Sequence, residues 1–284
     1  MRTLVFGGTG MLGRAVTAQW RRHRQPVLAL GREQADITDA ASVLDWAHRF
    51  QPSVIVNCAA FTKVDDCEEK EEHATAVNGT SLRHLAEAAA KHSALLVHVS
   101  SDYVFDGKAD TPIPEDAPTA PRSAYGRSKL EGEKQALAYE RSLVVRASWL
   151  FGPDGPNFAA TIRRLLLGGT NPLKVVDDQR GRPTYTPFLA RALYDLARAD
   201  ITGIVHYGNR EPVTWHGFAT AIAREVAPRA DVLPVPTSEF PRPAERPEYS
   251  VLDVSKFEGL VGRAAEPWSN GLVPYLEHLG DSGS

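Results

Sequence analysis

The chain has 284 residues and a formal net charge of −3, which suits one large domain or a large and a small one. The mildly acidic balance and the lack of a basic run argue against a dedicated nucleic-acid-binding protein. No apolar run reaches the roughly 20 residues of a membrane helix, and the first residues do not resemble a signal peptide, so we expect a cytoplasmic protein with no membrane partner.

The first predicted element is a short buried strand that leads into a glycine-rich turn. Thr3–Phe6 forms the strand, and Gly7, Gly10 and Gly13 give a GxxGxxG pattern before a helix predicted from Arg14 to His23. Glycines permit a tight turn and the close approach of a pyrophosphate, and a helix N-terminus favours negative charge. The turn therefore indicates nucleotide binding. The alternative is an ordinary connection between a strand and a helix.

The second predicted strand bears on the choice of cofactor. It covers residues 26–30, and Arg32 follows where NAD-preferring sites usually carry an acidic residue. Arg32 could pair with a ribose 2′-phosphate, which favours NADPH. A solvated arginine on a loop is the alternative interpretation.

Strands continue to alternate with helices as far as residue 146. Strands are predicted at 54–57, 95–99 and 142–146, and helices at 71–91 and 125–140. This alternation is typical of βαβ units, and it predicts an α/β fold with a Rossmann-type, doubly wound parallel sheet. We place an NAD(P)-binding domain at residues 1–150, with later segments returning to it.

Beyond residue 150 the alternation loosens, which predicts a smaller, mainly substrate-binding lobe at residues 151–284. Its predicted helices cover 157–167, 186–199, 214–226 and 268–278, and its predicted strands cover 173–176 and 203–207. A cleft between two lobes is a common place for a small molecule to bind.

The strongest chemical signal lies between His98 and Lys129. Ser101 ends a buried strand, at the edge where open α/β sheets bind ligands. Tyr125 and Lys129 have the spacing that places two side chains on one face of a helix. A phenol has a pKa of about 10, and a neighbouring cation lowers it. We therefore predict that Lys129 lowers the pKa of Tyr125, which then exchanges a proton with a substrate oxygen. The alternative for this spacing alone is an exposed Tyr and a solvated Lys.

These features together resemble the extended short-chain dehydrogenases/reductases, and more closely the dTDP-4-dehydrorhamnose reductase family. The matching stretches are VNCAAFTKVDDCE (56–68), SSDYVFDG (100–107), AYGRSKLEGE (124–133), VVRASWLFG (144–152), DDQRGRPTYT (177–186) and RPEYSVLD (246–253). Ser101 stands where this family usually has Thr, so the hydroxyl is kept.

The resemblance implies a reductase of a nucleotide-linked 4-keto-6-deoxysugar, most closely dTDP-4-dehydro-L-rhamnose, with NADPH as the hydride donor and NADH as the alternative. It implies Ser101, Tyr125 and Lys129 as catalytic residues, with Tyr125 as the proton donor. Asn78 matches a position often counted as a fourth member of this set. Beside Gly7, Gly13 and Arg32, predicted cofactor contacts are Gly10, Met11, Leu12, Asp36, Ile37, Ala60, Phe61, Thr62, Tyr125 and Lys129. Predicted substrate contacts are Ser101, Asp102, Tyr125 and Trp149.

Four arginines of the second lobe are candidates to hold the substrate diphosphate, because arginine binds phosphate in bidentate fashion. They are Arg180, Arg182, Arg242 and Arg246, and for each the alternative is a solvated surface residue. Some members of the family dimerise through a bound Mg²⁺. No residues here match that site, so a homodimer is left open and no metal is predicted.

Two other classes of function remain open from the sequence: a dehydratase or epimerase of the same superfamily, and a non-catalytic subunit. A sugar-nucleotide dehydratase needs a second carboxylate after the central hydroxyl residue, but Asp102 is followed by Tyr103. An epimerase tends to carry an acid where Arg32 stands. A non-catalytic subunit, resembling the regulatory subunit of methionine adenosyltransferase, would be under no demand to keep Ser101, Tyr125 and Lys129.

Overall fold

The structure is a computed structural model, and it describes residues 1–281. Strands alternate with helices along most of this length. The first part of the chain contains β1 (Thr3–Phe6), α1 (Met11–Arg22), β2 (Val27–Leu30), α2 (Ala40–Phe50), β3 (Val54–Asn57), α3 (Val64–Glu69), α4 (Glu71–Ala74), α5 (Leu82–Lys91), β4 (Leu95–Ser101), α6 (Ala124–Leu137) and β5 (Ser142–Ala147). The second part contains β6 (Leu150–Phe151), α7 (Phe158–Leu167), β7 (Leu173–Val176), β8 (Arg180–Gly181), β9 (Thr184–Tyr185), α8 (Thr186–Arg198), β10 (Gly203–His206), β11 (Val213–Thr214), α9 (Trp215–Val226), β12 (Val232–Val235), α10 (Ser255–Val261) and α11 (Ser269–Asp281).

A six-stranded parallel sheet in the order β10-β5-β4-β3-β1-β2 lies at the centre of the molecule. In β1, Leu4 and Phe6 pack in the core on the side of α2 and α5, whereas Val5 packs in the core on the side of α1 and α8. Both faces of the sheet are covered, which is why its strands are continuous apolar runs. The predicted Rossmann-type α/β fold is confirmed.

The chain order reverses between β1 and β3, because β2 pairs with the other edge of β1. In open α/β sheets, ligands bind outside the carboxyl ends of the strands at such a reversal. The fold therefore directs the loops after Phe6, Asn57 and Ser101 towards one crevice.

A separate hydrophobic core belongs to the second part of the chain. Phe151, Phe218, Ile222 and Leu276 are buried in it, together with residues of α7 and β7. However, β10 pairs with β5 in the central sheet, and Leu189 and Leu193 of α8 belong to the core that contains α1. The domain boundary near residue 150 stays a prediction.

The helix predicted over residues 71–91 is present, but it is interrupted. Thr75–Thr80 forms a π-helical turn between α4 and α5, which widens the helix locally. Such turns are frequent at functional sites, and this one contains the buried Asn78. The sequence analysis also missed β12 and α10. Within residues 1–281, no helix is both long and apolar enough to cross a membrane.

Candidate active site

The glycine-rich turn between β1 and α1 is built so that backbone packs directly against backbone. Gly7 has a φ of +72°, and a Cβ on Gly13 would lie 2.1 Å from the Gly7 carbonyl oxygen. The N-cap of α1 is Gly10, which has no side chain to cap the helix, so the first N–H groups of the helix stay available. An open helix N-terminus beside a glycine turn fits a pyrophosphate. Leu12 is buried in the core, and Met11 contacts Gly155 of the second lobe.

Arg32 and Asp36 lie beyond the end of β2. The Arg32 side chain is 75% exposed, and its Nε lies 3.4 Å from Oδ2 of Asp36. A hydrogen bond from the Thr38 backbone N–H holds the pKa of Asp36 below its usual value. Because it is exposed, the Arg32 side chain can turn towards the 2′-phosphate of a cofactor. Ile37, another predicted cofactor contact, is buried in the core.

The loop after β3 is fixed by Asn78. The Asn78 side chain accepts a hydrogen bond from the Phe61 N–H at 2.7 Å and donates one to the Phe61 carbonyl at 3.0 Å. It also donates to the Ser128 hydroxyl at 3.0 Å, which joins the loop to α6. Ala60 and Thr62 flank Phe61 on this loop. Asn78 thus connects the predicted cofactor loop to the helix that carries Tyr125.

Ser101, Tyr125 and Lys129 come together at the carboxyl end of β4. Ser123 caps the N-terminus of α6 by accepting a hydrogen bond from the Gly126 N–H, which fixes the start of the helix beside the strand. The Ser101 hydroxyl lies beside the Tyr125 phenol and influences its pKa. Lys129, one turn further along α6, is 2% exposed. The structure brings the three predicted catalytic residues to one place.

The prediction that the pKa of Tyr125 is lowered is wrong. Burial raises the pKa of Tyr125, because it disfavours the phenolate, and the Ser101 hydroxyl beside it offsets this only in part. The Lys129 ammonium nitrogen donates to the Val99 carbonyl at 2.7 Å. Burial lowers the pKa of Lys129 itself to about 8. Tyr125 is therefore held in its protonated form, which suits a proton donor.

Asp102 is a buried hydrogen-bond partner of the Ser101 hydroxyl. It is 3% exposed, and its Oδ1 accepts a hydrogen bond from the Ser101 hydroxyl at 2.9 Å. Burial raises the pKa of Asp102 to about 6, and the hydrogen bond with Ser101 acts in the opposite direction. Asp102 orients Ser101, and the predicted direct contact of Asp102 with the substrate stays a prediction.

A cavity of about 720 Å³ is lined by Tyr103, Trp149 and Trp215 among other residues. Trp149 has a φ of +50° and stacks on Trp215 with ring centroids 3.4 Å apart, and both rings line the cavity. Gly181 packs against the Trp149 indole so closely that a Cβ there would lie 2.5 Å from it. The predicted substrate residue Trp149 thus forms a rigid wall of a cavity large enough for a nucleotide sugar.

Tyr103, which the sequence analysis missed, connects the catalytic residues with this cavity. Its ring packs edge-to-face on Tyr125 with centroids 5.4 Å apart, and it also lines the cavity. Its position two residues after Ser101 is the only sequence signal that could have suggested it.

The structure separates the four candidate arginines. Arg242 and Arg246 line the cavity. Arg246 pairs with Asp65 at 2.9 Å, and Arg242 lies 3.8 Å from the same carboxylate. Arg182 is instead buried and donates to the carbonyl oxygens of Leu252 and Asn209. Arg180 belongs to β8 and is exposed outside the cavity lining.

No metal-binding group is found among residues 1–281, where no three His, Cys, Asp or Glu side chains are placed to hold a metal ion together. The polar and charged side chains of the site are instead hydrogen-bonded or ion-paired to one another. Glu133 and Arg146 form a buried pair with a 2.7 Å contact beneath the end of β4. The site is thus assembled from hydroxyl, phenol, ammonium and guanidinium groups.

Comparison with known proteins gives consistent matches over nearly the whole chain. The family described as RmlD substrate binding domain matches residues 1–280. A dTDP-4-dehydrorhamnose reductase of Streptomyces griseus is 43% identical, over 96% of this chain and 92% of that protein. A probable dTDP-4,6-dihydroxy-2-methyloxan-3-one 4-ketoreductase of Streptomyces antibioticus is 40% identical, over 96% of this chain and 93% of that protein. The crystal structure of a Bacillus anthracis dTDP-4-dehydrorhamnose reductase in complex with NADP matches with a TM-score of 0.93 and 32% identity, over 98% of this chain and 99% of that one.

Proposed function

The chain belongs to the dTDP-4-dehydrorhamnose reductase family, and on that premise we propose that it reduces dTDP-4-dehydro-L-rhamnose at C4 to give dTDP-L-rhamnose. Its activity class is that of an NAD(P)H-dependent sugar-nucleotide 4-ketoreductase. NADPH is the preferred donor in this proposal, because the Bacillus anthracis relative is solved with NADP and Arg32 stands at the end of β2.

Each catalytic side chain has a role that follows from its contacts. When bound, NADPH supplies the hydride for the C4 carbonyl. Tyr125 donates its phenolic proton to the oxygen at C4, which its raised pKa permits because the phenol stays protonated. Ser101 donates to Asp102 when no ligand is present, and with substrate bound its hydroxyl turns to donate its hydrogen to the same oxygen and fix the carbonyl for attack. Lys129 holds the ribose hydroxyls beside Tyr125.

The nucleotide part of the substrate occupies the cavity lined by Trp149 and Trp215 in this proposal. Arg246, which Asp65 already orients, binds the diphosphate, and Arg242 lies close enough to assist. The single observation that carries the proposal is the position of Tyr125. It lies beside Ser101 on one side and packs against Tyr103 of the cavity wall on the other.

The test is a reductase assay with a defined ketosugar. The protein is mixed with dTDP-4-keto-6-deoxyglucose, with or without its 3,5-epimerase, and with NADPH or NADH, while absorbance of the reduced nicotinamide is followed. We expect oxidation that requires the epimerase and is faster with NADPH. Oxidation without the epimerase would contradict the rhamnose assignment and favour a 4-ketoreductase for another deoxysugar, like that of the Streptomyces antibioticus relative.

Two further outcomes address the functions left open by the sequence. Protein that retains tightly bound NAD through purification and interconverts two sugar nucleotides without net oxidation would indicate an epimerase. Cofactor binding without turnover of any ketosugar would favour a regulatory subunit. The intact set of Ser101, Tyr125 and Lys129 supports the reductase over a regulatory subunit, and Arg32, which stands where an epimerase tends to carry an acid, supports it over an epimerase.

A further inference from the structure

Gln179 lies in the DDQRG segment (residues 177–181), which follows β7 and has no role in the mechanism proposed above. Gln179 is 7% exposed, whereas the two aspartates before it and the arginine after it are exposed. A buried amide needs hydrogen-bond partners. Those of Gln179 come from two distant parts of the chain, and all three residues line the cavity.

The hydrogen bonds of Gln179 fix the orientation of its amide. The Trp215 indole N–H donates to Oε1 of Gln179 at 3.1 Å, and an indole N–H can only donate. On the other side, Nε2 of Gln179 donates to the Thr237 hydroxyl at 2.9 Å. That hydroxyl gives its single proton to Oδ1 of Asp178 at 2.5 Å, so it must accept from the amide. A flipped amide would place an NH₂ group against the Trp215 N–H and lose both bonds.

The bond to Gln179 gives Trp215 a restraint that ring packing cannot supply. The Trp215 ring stacks on Trp149 at 3.4 Å between centroids and packs on Phe158 at 4.4 Å. Apolar contact is non-directional, so packing alone leaves the indole able to slide or turn in its own plane. A hydrogen bond at the ring edge removes that freedom. Gly181, in the same segment, packs against the Trp149 indole, so the DDQRG segment contacts both rings.

Thr237 connects Gln179 with the part of the chain that carries the proposed diphosphate ligands. The Thr237 backbone N–H donates to Oδ2 of Asp178 at 2.8 Å, which ties Thr237 to the DDQRG segment a second time. Arg242 and Arg246 follow Thr237 closely in the chain and line the same cavity. One amide therefore joins the stacked tryptophans to the start of the arginine segment, residues 237–246.

We propose that Gln179 is a positioning residue for substrate binding, which holds the aromatic wall, Trp149 and Trp215, at a fixed separation from the arginine segment. A nucleotide sugar in the cavity then meets its stacking surface and its diphosphate ligands already in place, which lowers the cost of ordering them on binding. The identity of that ligand rests on the proposed function. The hydrogen bonds of Gln179 form without any ligand.

The first test therefore needs no activity. The full-length protein is labelled with ¹⁵N-tryptophan, and exchange of the indole N–H groups with water is measured without ligand. The Trp215 signal is assigned from the Trp215→Phe variant. We expect slow exchange for Trp215 in the wild type and at least about 10-fold faster exchange in Gln179→Met, which has no acceptor. Gln179→Glu keeps an acceptor and should stay slow. Equal exchange in the wild type and Gln179→Met would overturn the proposal.

The second test measures binding and turnover, and it rests on the proposed function. Gln179→Met should raise KM for the sugar nucleotide, and Kd for dTDP alone, by about 10-fold, because it leaves the Trp215 N–H without a partner. kcat should change by no more than about twofold, because Gln179 touches no reacting atom. A fall in kcat at unchanged KM would contradict a role in positioning the binding wall.

A mutant cycle separates positioning from direct contact with the ligand. Trp215→Phe keeps a ring but removes the N–H, and Thr237→Val removes the hydroxyl. In the chain with both changes, adding Gln179→Met should raise KM by no more than about twofold, because its two partners are already gone. If the 10-fold effect persists in that background, Gln179 acts by contact with the ligand and the proposal is wrong.

Gln135→Met is the matched control, because Gln135 of α6 donates to Glu131 and lies outside the cavity lining. It should change neither the Trp215 exchange rate nor KM. If the wild type neither binds dTDP nor reduces a ketosugar, the proposed function fails. The exchange measurement still decides whether Gln179 holds Trp215.

Discussion

Two regions differ in how their side chains are held. One is the catalytic edge, our name for the predicted catalytic residues Ser101, Tyr125 and Lys129 at the carboxyl end of β4, and the other is the proposed substrate cavity lined by Trp149 and Trp215. At the catalytic edge, Ser101 and Lys129 are 6% and 2% exposed and hydrogen-bonded to other buried groups. In the cavity wall, the side chains of Arg242 and Arg246 are 61% and 20% exposed, and both lie against the Asp65 carboxylate. Arg246 also donates to the Ala244 carbonyl. The chemistry is therefore fixed by buried packing, whereas recognition of the substrate depends on exposed groups that can change at little cost to the fold.

The largest effect should come from removing the proton donor at the catalytic edge. We expect Tyr125→Phe to lower kcat by about 10²- to 10⁴-fold, the usual contribution of a general acid. The affinity for NADPH should hardly change. Steady-state kinetics and a fluorescence titration of NADPH measure the two quantities. Tyr139→Phe is the control, because the Tyr139 hydroxyl donates only to the Ala94 carbonyl. Near-normal turnover by Tyr125→Phe would contradict the assigned role.

A change in the cavity wall should affect binding instead. Arg246→Met should raise KM for the sugar nucleotide by about 10- to 100-fold, the range expected for lost hydrogen bonds to a charged group. kcat should change much less, because the diphosphate does not react. The exposed Arg141, paired with Asp200, provides the control Arg141→Met. A lowered kcat at unchanged KM would mean that Arg246 acts in the chemical step. The division between chemistry at the catalytic edge and binding in the cavity would then be wrong.

The buried charge of the Asp102 carboxylate should lower the free energy of unfolding, and the Asp102→Asn variant tests this. The folded-state pKa of Asp102 is about 6, above the 3.8 of the free group. The folded protein thus binds the Asp102 proton more tightly than the unfolded chain does. The stability gained from this bound proton is complete below pH 3.8 and is lost as the pH rises through 6. Asp102→Asn should therefore be more stable than the wild type by about 3 kcal/mol above pH 7.

The same difference should disappear near pH 4, where the wild-type carboxyl is protonated. Urea unfolding at both pH values measures it. Asp116→Asn, on an exposed part of the loop after β4, should show no comparable gain. An equal gain at both pH values would mean that burial of the Asp102 charge is not its cause.

The smallest effect is expected at the exposed cofactor contact. Arg32→Ala should weaken NADPH binding by about 10-fold, as for one lost charge-assisted hydrogen bond. NADH binding should stay the same. Direct titration of both dinucleotides measures the change, with Arg22→Ala at the end of α1 as the control. Equal weakening of both cofactors would mean that Arg32 does not select the 2′-phosphate.

Much of the catalytic edge could be predicted from the sequence, because its signals are local. The GxxGxxG turn, the strand that ends at Ser101 and the spacing of Tyr125 and Lys129 all belong to short segments. The effect of Lys129 on Tyr125 could not be predicted, because it depends on burial by distant segments, and burial dominates the pKa of both groups.

The cavity was harder to predict because it is formed by long-range packing. In the sequence, Arg182 and Arg246 are equivalent candidates, and only the structure buries one and places the other against Asp65. Tyr103 carried no motif of its own that pointed to Tyr125. The π-helical turn at Asn78 interrupts a sequence with helix-forming residues on both sides, and contacts with Phe61 and Ser128 accompany it.

The ion pair between Asp65 and Arg246 has a consequence for the order in which the site forms during synthesis. The partners are 181 residues apart in the chain, whereas Ser101, Tyr125 and Lys129 lie within one short stretch. Chains are made from the N-terminus, and their domains generally fold as units. A nascent chain therefore contains Ser101, Tyr125 and Lys129 well before the ribosome adds Arg246 and the last residues that line the cavity, so the cavity is completed after the segment with the predicted catalytic residues is made.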